Sequence, residues 1–293
     1  MRVPAGEVTL SVQVAGEGPP ILLLHGFPQT HMCWEHVAPA LASERRVVVP
    51  DLHGYGESDA PPCADGTRYA KRVMARDMRA LMAALGHDEF DLMGHDRGAR
   101  VAYRLTLDDP SAVRRLAIVE VIPTVEVWRA IDADLALAMY HWVMMAQPQP
   151  VPERMIGADP VAWVDHTLAS WTKSKSLAPF SEAALASYRV QMTDPARVAA
   201  MCSDYRAGAT VDRKIDAADE TEGRLITAPM LFLYAAQGFP ARSGDPLGTW
   251  RRWAPNVRGI ELNCGHFAME ETPDAVVGAA RDFFCPVGRA LRL

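Results

Sequence analysis

The sequence has too few cysteines, too irregularly spaced, for them to organise a fold. Five are scattered through 293 residues, at Cys33, Cys63, Cys202, Cys264 and Cys285. An odd count without a C-x-x-C pair argues against a disulfide framework or a zinc site, so no metal is expected. A reducing cytoplasm is the simplest home for such a chain. Long hydrophobic runs are missing as well. No stretch approaches membrane-spanning length, and the opening MRVPAGEVTL has no apolar core of signal-peptide size. A net charge of −6 leaves no basic patch of the kind that grips nucleic acid. Repeats and low-complexity tracts are absent. The remainder is an ordinary globular composition, 49% hydrophobic and 23% charged, long enough for one large domain or one domain with an insertion.

Short buried runs alternate with helical patterns. Val8–Ala15 reads as an edge strand, while Ile21–Leu24, Val47–Pro50, Phe90–Gly94 and Leu116–Val121 read as strands covered on both faces. Helices are expected over Arg68–Leu85 and Gly98–Leu107. This alternation predicts a mostly parallel sheet with helices on both faces. The strand signal stops at Pro123. From Thr124 to Arg213 the chain is rich in Met, Trp and Ala at helical spacing, as in Ile131–Met145, Val161–Trp171 and Glu182–Met192. Strands resume at Met230–Tyr234 and Gly259–Leu262, and a last helix covers Pro273–Phe284. The expected organisation is therefore an α/β core in two parts, 1–123 and 214–293, carrying a helical cap over 124–213. A second independent domain is the weaker alternative, because the sheet needs strands from both sides of the block.

Chemistry concentrates at a strand-to-helix junction, Gly94-His95-Asp96-Arg97-Gly98. Flanking glycines allow a strained turn that lifts one side chain above the sheet, the geometry of a nucleophile elbow. Here the lifted residue is an aspartate. A serine attacking a saturated carbon would form an ether that water and a histidine cannot easily cleave. A carboxylate forms an ester, whose carbonyl water can attack, so Asp96 signals displacement at an sp³ carbon followed by hydrolysis. His25-Gly26-Phe27-Pro28 would supply one oxyanion donor through the Phe27 N–H, and the Arg97 N–H the other; each is worth about 3 kcal/mol. Asp51-Leu52-His53-Gly54-Tyr55-Gly56-Glu57-Ser58-Asp59 follows an earlier strand. Asn263-Cys264-Gly265-His266-Phe267 follows the last one, where His266 would act as general base. A histidine base needs an acid to orient it. Glu120 is the best candidate, since Ala235-Ala236-Gln237-Gly238 offers none and Asp245 lies further along.

Arg97 adjoins the nucleophile and Arg100 sits one turn on. Two guanidiniums beside a carboxylate point to a negative substrate group, which they could hold by charge-assisted bonds of about 1.5–3 kcal/mol each. The bland alternative is that they neutralise Asp96 or a neighbouring acid.

Together these residues resemble the fluoroacetate dehalogenase (haloacetate dehalogenase) family of the α/β-hydrolase fold. The likeness runs through His25–Thr30, Gly94–Arg100, Tyr140-His141-Trp142, Ala169-Ser170-Trp171-Thr172, Asp204-Tyr205-Arg206-Ala207-Gly208 and Gly265-His266-Phe267. It implies Asp96 as nucleophile, His266 as base and Arg97 with Arg100 as a carboxylate clamp. It further implies His141, Trp142 and Tyr205 as donors to the departing halide, Trp171 as part of the pocket wall, and a homodimer. Fluoride leaves poorly because its bond to carbon is strong and the free ion demands solvation, which convergent donors in a dry pocket could supply. One departure stands out: the family usually carries aspartate where this chain has Glu120. The implied reaction turns a small haloacid and water into a hydroxyacid and halide, with no cofactor, nucleic acid or membrane.

Two rivals remain. An epoxide hydrolase shares the aspartate and the covalent ester, with Tyr140, Tyr188 and Tyr205 as conceivable proton donors, but Arg97 would then be a costly unpaired charge. A non-enzymatic ligand receptor could retain the fold and the pocket.

Overall fold

In the computed structural model, which describes residues 1–236 and 238–285, the apolar runs form one sheet. Its strands are β1 (Arg2–Ala5), β2 (Val8–Ala15), β3 (Pro20–Leu24), β4 (Arg46–Pro50), β5 (Phe90–His95), β6 (Val113–Val119), β7 (Met230–Ala235) and β8 (Val257–Leu262). They lie in the spatial order β1-β2-β4-β3-β5-β6-β7-β8, antiparallel at β1 and β2 and parallel from β4 onward. The central strand β5 is buried along its whole length, as parallel strands covered on both faces must be.

Helices α1 (Val37–Ala42), α2 (Lys71–Ala84) and α3 (Asp96–Asp108) lie between the early strands. Between β6 and β7 come α4 (Thr124–Ala130), α5 (Ala133–Ala138), α6 (Tyr140–Met145), α7 (Val151–Gly157), α8 (Pro160–Trp171), α9 (Glu182–Met192), α10 (Pro195–Ala207) and α11 (Arg213–Thr221). A π-helical turn, Gly208–Asp212, joins the last two. Helices α12 (Phe239–Arg242) and α13 (Pro246–Trp253) precede β8, and α14 (Ala268–Glu271) and α15 (Pro273–Phe284) follow it. Side chains of Asp132, Asp159, Ser181 and Asp194 accept first-turn N–H groups and so start α5, α8, α9 and α10. No helix among the described residues is long and apolar enough to cross a membrane.

Register brings the strand ends level. Leu24 pairs with Gly94, Gly94 with Ile118, Val119 with Leu233, and Ala235 with Leu262. Residues leaving these strands therefore meet along one edge, the carboxyl edge where open α/β sheets bind ligands.

Several expectations need correction. Val8–Ala15 is not the edge, because β1 pairs outside it. The strand expected over Leu116–Val121 ends at Val119, since Glu120 turns out of the ladder with φ 61°. The helix expected over Ile131–Met145 is two helices, divided at Met139 (φ −116°, ψ 30°). The helix expected from Arg68 begins at Lys71, after a 3₁₀ turn and an extended Ala70.

Candidate active site

Asp96 is the first residue of α3 and has φ 46°, a conformation a non-glycine residue holds only when its surroundings force it. Neighbouring glycines make that possible. A Cβ on Gly26 would lie 2.4 Å from Asp96 Cβ, and one on Gly98 would lie 2.3 Å from the His25 carbonyl. With no side chains there, the loop after β3 can close onto the elbow. It closes by a hydrogen bond: the Phe27 N–H donates to Asp96 Oδ1 at 2.8 Å. The two carboxylate oxygens are thereby made different, one held and the other free. The loop is itself braced, with Leu52 N–H donating to His25 Nε2 at 3.0 Å and Asp51 accepting from the N–H groups of His31 and Glu57.

The free oxygen, Oδ2, lies 3.8 Å from His266 Nε2, while His266 Nδ1 lies 3.6 Å from Glu120 Oε2. At that range the second pair is an ion contact rather than a formed hydrogen bond. Glu120 is fully buried, and its other oxygen accepts the Ala235 N–H. Burial, aided by Glu271, pushes the Glu120 carboxyl above its ordinary value, against the pull of His266. For His266 burial acts downward, yet Glu120 and Asp96 outweigh it and hold the imidazole above its usual pKa. Burial would also favour neutral Asp96, but His266, His95, Arg97 and Arg100 keep it below the usual carboxylate range. Asp96 is therefore ionised at neutral pH.

The arginines differ. Arg97 is wholly buried; its Nε donates to Asp204 Oδ1 at 3.1 Å, and its Nη2 donates to the same carboxylate and to the Asp204 carbonyl. Only Nη1 is left without a partner. Asp204 also accepts from Lys71 Nζ and from the Tyr55 hydroxyl, so two buried cations share it and hold its carboxyl far below the ordinary range despite burial. Arg100 has no carboxylate within 4.0 Å among the described residues. Its Nη1 donates to the Ile122 carbonyl and Thr124 Oγ1, both neutral, and its Nε is unpartnered.

A cavity of about 460 Å³ is lined by Asp96, Arg100, Glu120, His141, Trp142, Trp171 and His266. Arg97 and Tyr205 pack against Trp142, with the guanidinium 4.4 Å from the centre of the tyrosine ring. Tyr205 is buried with its hydroxyl unpartnered, and His141 Nδ1 is unpartnered too. Burial drives the His141 imidazole down to about 3, so it is neutral and can donate one N–H. The rings of His141 and Trp142 both meet Tyr205 edge-on, at 5.7 and 6.0 Å. Trp171 stands edge-on to His266 at 5.4 Å, and its carbonyl accepts the His266 N–H at 3.0 Å. Asp245 instead caps α13, accepting the Gly248 N–H. Gln237 lies outside the described residues.

Sequence reasoning missed several supporting groups. Asp204 fell inside a recognised segment without a role, and Lys71 is a lone lysine in a helix with no local signal. Buried behind the elbow, the side chain of Gln29 joins His95 Nδ1 (2.9 Å) to Glu270 (2.5 Å), while Tyr188 donates to Glu270 and His95 Nε2 meets the His266 carbonyl. Burial raises the Glu270 carboxyl to about 8, so a neutral acid completes this chain behind the histidine.

A family model described as alpha/beta hydrolase fold matches residues 19–273. Fluoroacetate dehalogenase from Burkholderia sp. is 40% identical over 96% of this chain and 92% of its own length. A soluble epoxide hydrolase from Corynebacterium sp. (strain C12) is 33% identical over 93% of this chain and 92% of its own. The crystal structure of ALR0039 from Nostoc sp PCC 7120 superposes with a TM-score of 0.93 at 42% identity, covering 97% of each chain.

Proposed function

The chain belongs to the α/β-hydrolase fold family, and from that premise we propose that it is a hydrolytic dehalogenase of small 2-haloacids, such as fluoroacetate. One observation carries the reading: an ionised aspartate at the elbow faces a cavity that is also lined by an arginine with no carboxylate partner among the described residues. Arg100 makes the principal contact to the substrate carboxylate, and Arg97, positioned by Asp204, adds its field and its remaining Nη1. Residues 124–213 act as the cap that closes over the substrate.

Asp96 Oδ2 attacks the carbon bearing the halogen. A C–O bond forms as the C–X bond breaks, and its electron pair leaves with the halide toward His141, Trp142 and Tyr205. Oδ1 becomes the ester carbonyl and already accepts the Phe27 N–H. Alkylation also removes the negative charge of Asp96, one of the anions that hold the His266 imidazole above its usual pKa. The imidazole pKa then falls, which favours its base form for the second step. Nε2 takes a proton from water, whose oxygen attacks Asp96 Cγ. Collapse of the adduct expels the hydroxyacid oxygen, which takes that proton back.

The epoxide-opening alternative needs paired tyrosine donors over the nucleophile. The Tyr188 hydroxyl is engaged with Glu270 and Tyr140 is exposed, which leaves Tyr205 alone with an unpartnered buried hydroxyl.

The test is halide release from bromoacetate, chloroacetate and fluoroacetate beside a simple epoxide, with His266→Asn as the trap. That variant should release one equivalent of halide and carry a carboxymethyl group on Asp96 by mass spectrometry. An unmodified Asp96, or turnover of the epoxide alone, contradicts the reading.

A further inference from the structure

Glu120 Oε2 can face His266 only where nothing else stands, and the residue beside it is Gly238. A Cβ at that position would lie 2.5 Å from Oε2, 3.0 Å from Oε1 and 3.1 Å from the Ala235 Cβ. The first separation is one a real Cβ does not keep and the other two are tight, so the carboxylate would have to move. The backbone does not explain the glycine: Gly238 has φ −69° and ψ 174°, which any residue adopts. What the position requires is the empty space. Nor can the carboxylate step aside freely. Oε1 is bound to the Ala235 N–H, and the Glu120 backbone is fixed by its own N–H to the Leu233 carbonyl at 2.9 Å. The remaining motion swings Oε2 away from His266 Nδ1, from which it already stands 3.6 Å.

We propose that Gly238 is a positioning residue of this site, leaving vacant the space in which the Glu120 carboxylate orients His266. The glutamate at position 120 and the absent side chain at 238 form one steric unit contributed by two strand ends, β6 and the loop after β7. A shorter acid at 120 would withdraw from 238 and free that position to carry a side chain. The inference rests on the dehalogenase reading for its kinetics, though not for its geometry.

Gly238→Ala tests it, because the strain falls on the end of a side chain and the fold should stand. With haloacetate, Gly238→Ala should release the first equivalent of halide at the parent rate. Ester hydrolysis should then slow about 100-fold, toward the lower end of what a general base supplies. Adding Glu120→Asp to it should recover about tenfold, and Gly238→Ala introduced into Glu120→Asp should change that variant little. A substrate-free readout stands beside the kinetics. The NMR titration midpoint of the His266 imidazole should fall in Gly238→Ala toward its value in Glu120→Gln. Wild-type protein that releases no halide defeats the dehalogenase reading and leaves the titration to judge the coupling. An unmoved midpoint overturns the proposal, as do losses that simply add in the double variant. Were Gly238→Ala to unfold, the comparison of Glu120→Asp with and without it would decide, and a further loss there would be equally fatal.

Discussion

Arg97 and Arg100 are three positions apart and carry the same charge, yet they answer to different partners. Arg97 is already committed to Asp204, whereas among the described residues Arg100 donates to neutral oxygens, and it faces the cavity. Replacing Arg100 with methionine keeps the bulk over Trp142 and removes the charge. kcat/KM for haloacetates should drop about 10- to 100-fold, the loss of one charge-assisted bond, while a neutral alkyl halide should be used as before. Equal losses on both substrates would make Arg100 a packing residue. At this scale much was legible in the sequence. Asp96 and His266 are fixed by strand-end motifs, and Glu120 follows from being the acid at the next strand end. Asp204 was not legible as the partner of Arg97, because they are 107 positions apart and only the fold joins them. Gly238 was not legible, because its contribution is the absence of a side chain and no functional group marks it.

Elements differ in how openly they announce themselves. The buried strands were readable because parallel strands covered on both faces leave unbroken apolar runs. Their ends were less so: β6 stops short because Glu120 adopts a left-handed backbone that no local residue type signals. The same holds for the division of α5 from α6. Met139-Tyr140 contains neither glycine nor proline, so sequence alone suggested one helix. The break matters, because α6 begins afresh and sends His141 and Trp142 to the cavity wall. From α10 comes Tyr205, whose unpartnered hydroxyl is dispensable to that helix. Tyr205→Phe should therefore leave the melting temperature nearly unchanged, since no partner is orphaned. Fluoride release should fall more than bromide release, as the smaller ion needs more solvation on departure. A uniform loss across halides would remove Tyr205 from the halide site.

Across the whole molecule, the insertion and the sheet are joined by a buried ionic knot. Asp204 on α10 holds Lys71 of α2 and Arg97 of α3, all of them inaccessible to water. Asp204→Asn preserves shape but leaves buried Arg97 without its anion and Lys71 with only Asp212, 3.9 Å away. It should destabilise the protein by about 3–5 kcal/mol, read as a lowered denaturation midpoint, and should raise KM for haloacetates as Arg97 loses its anchor. Stability equal to the parent would mean that water reaches the cluster. The knot also constrains ancestry. A descendant that acquired a different insertion would inherit Lys71 and Arg97 with no anion between them. Either the newcomer supplies a carboxylate where Asp204 stood, or both basic residues must be lost along with the old segment. Positions 71, 97 and 204 should therefore change together or not at all among relatives, though they lie on three separate helices.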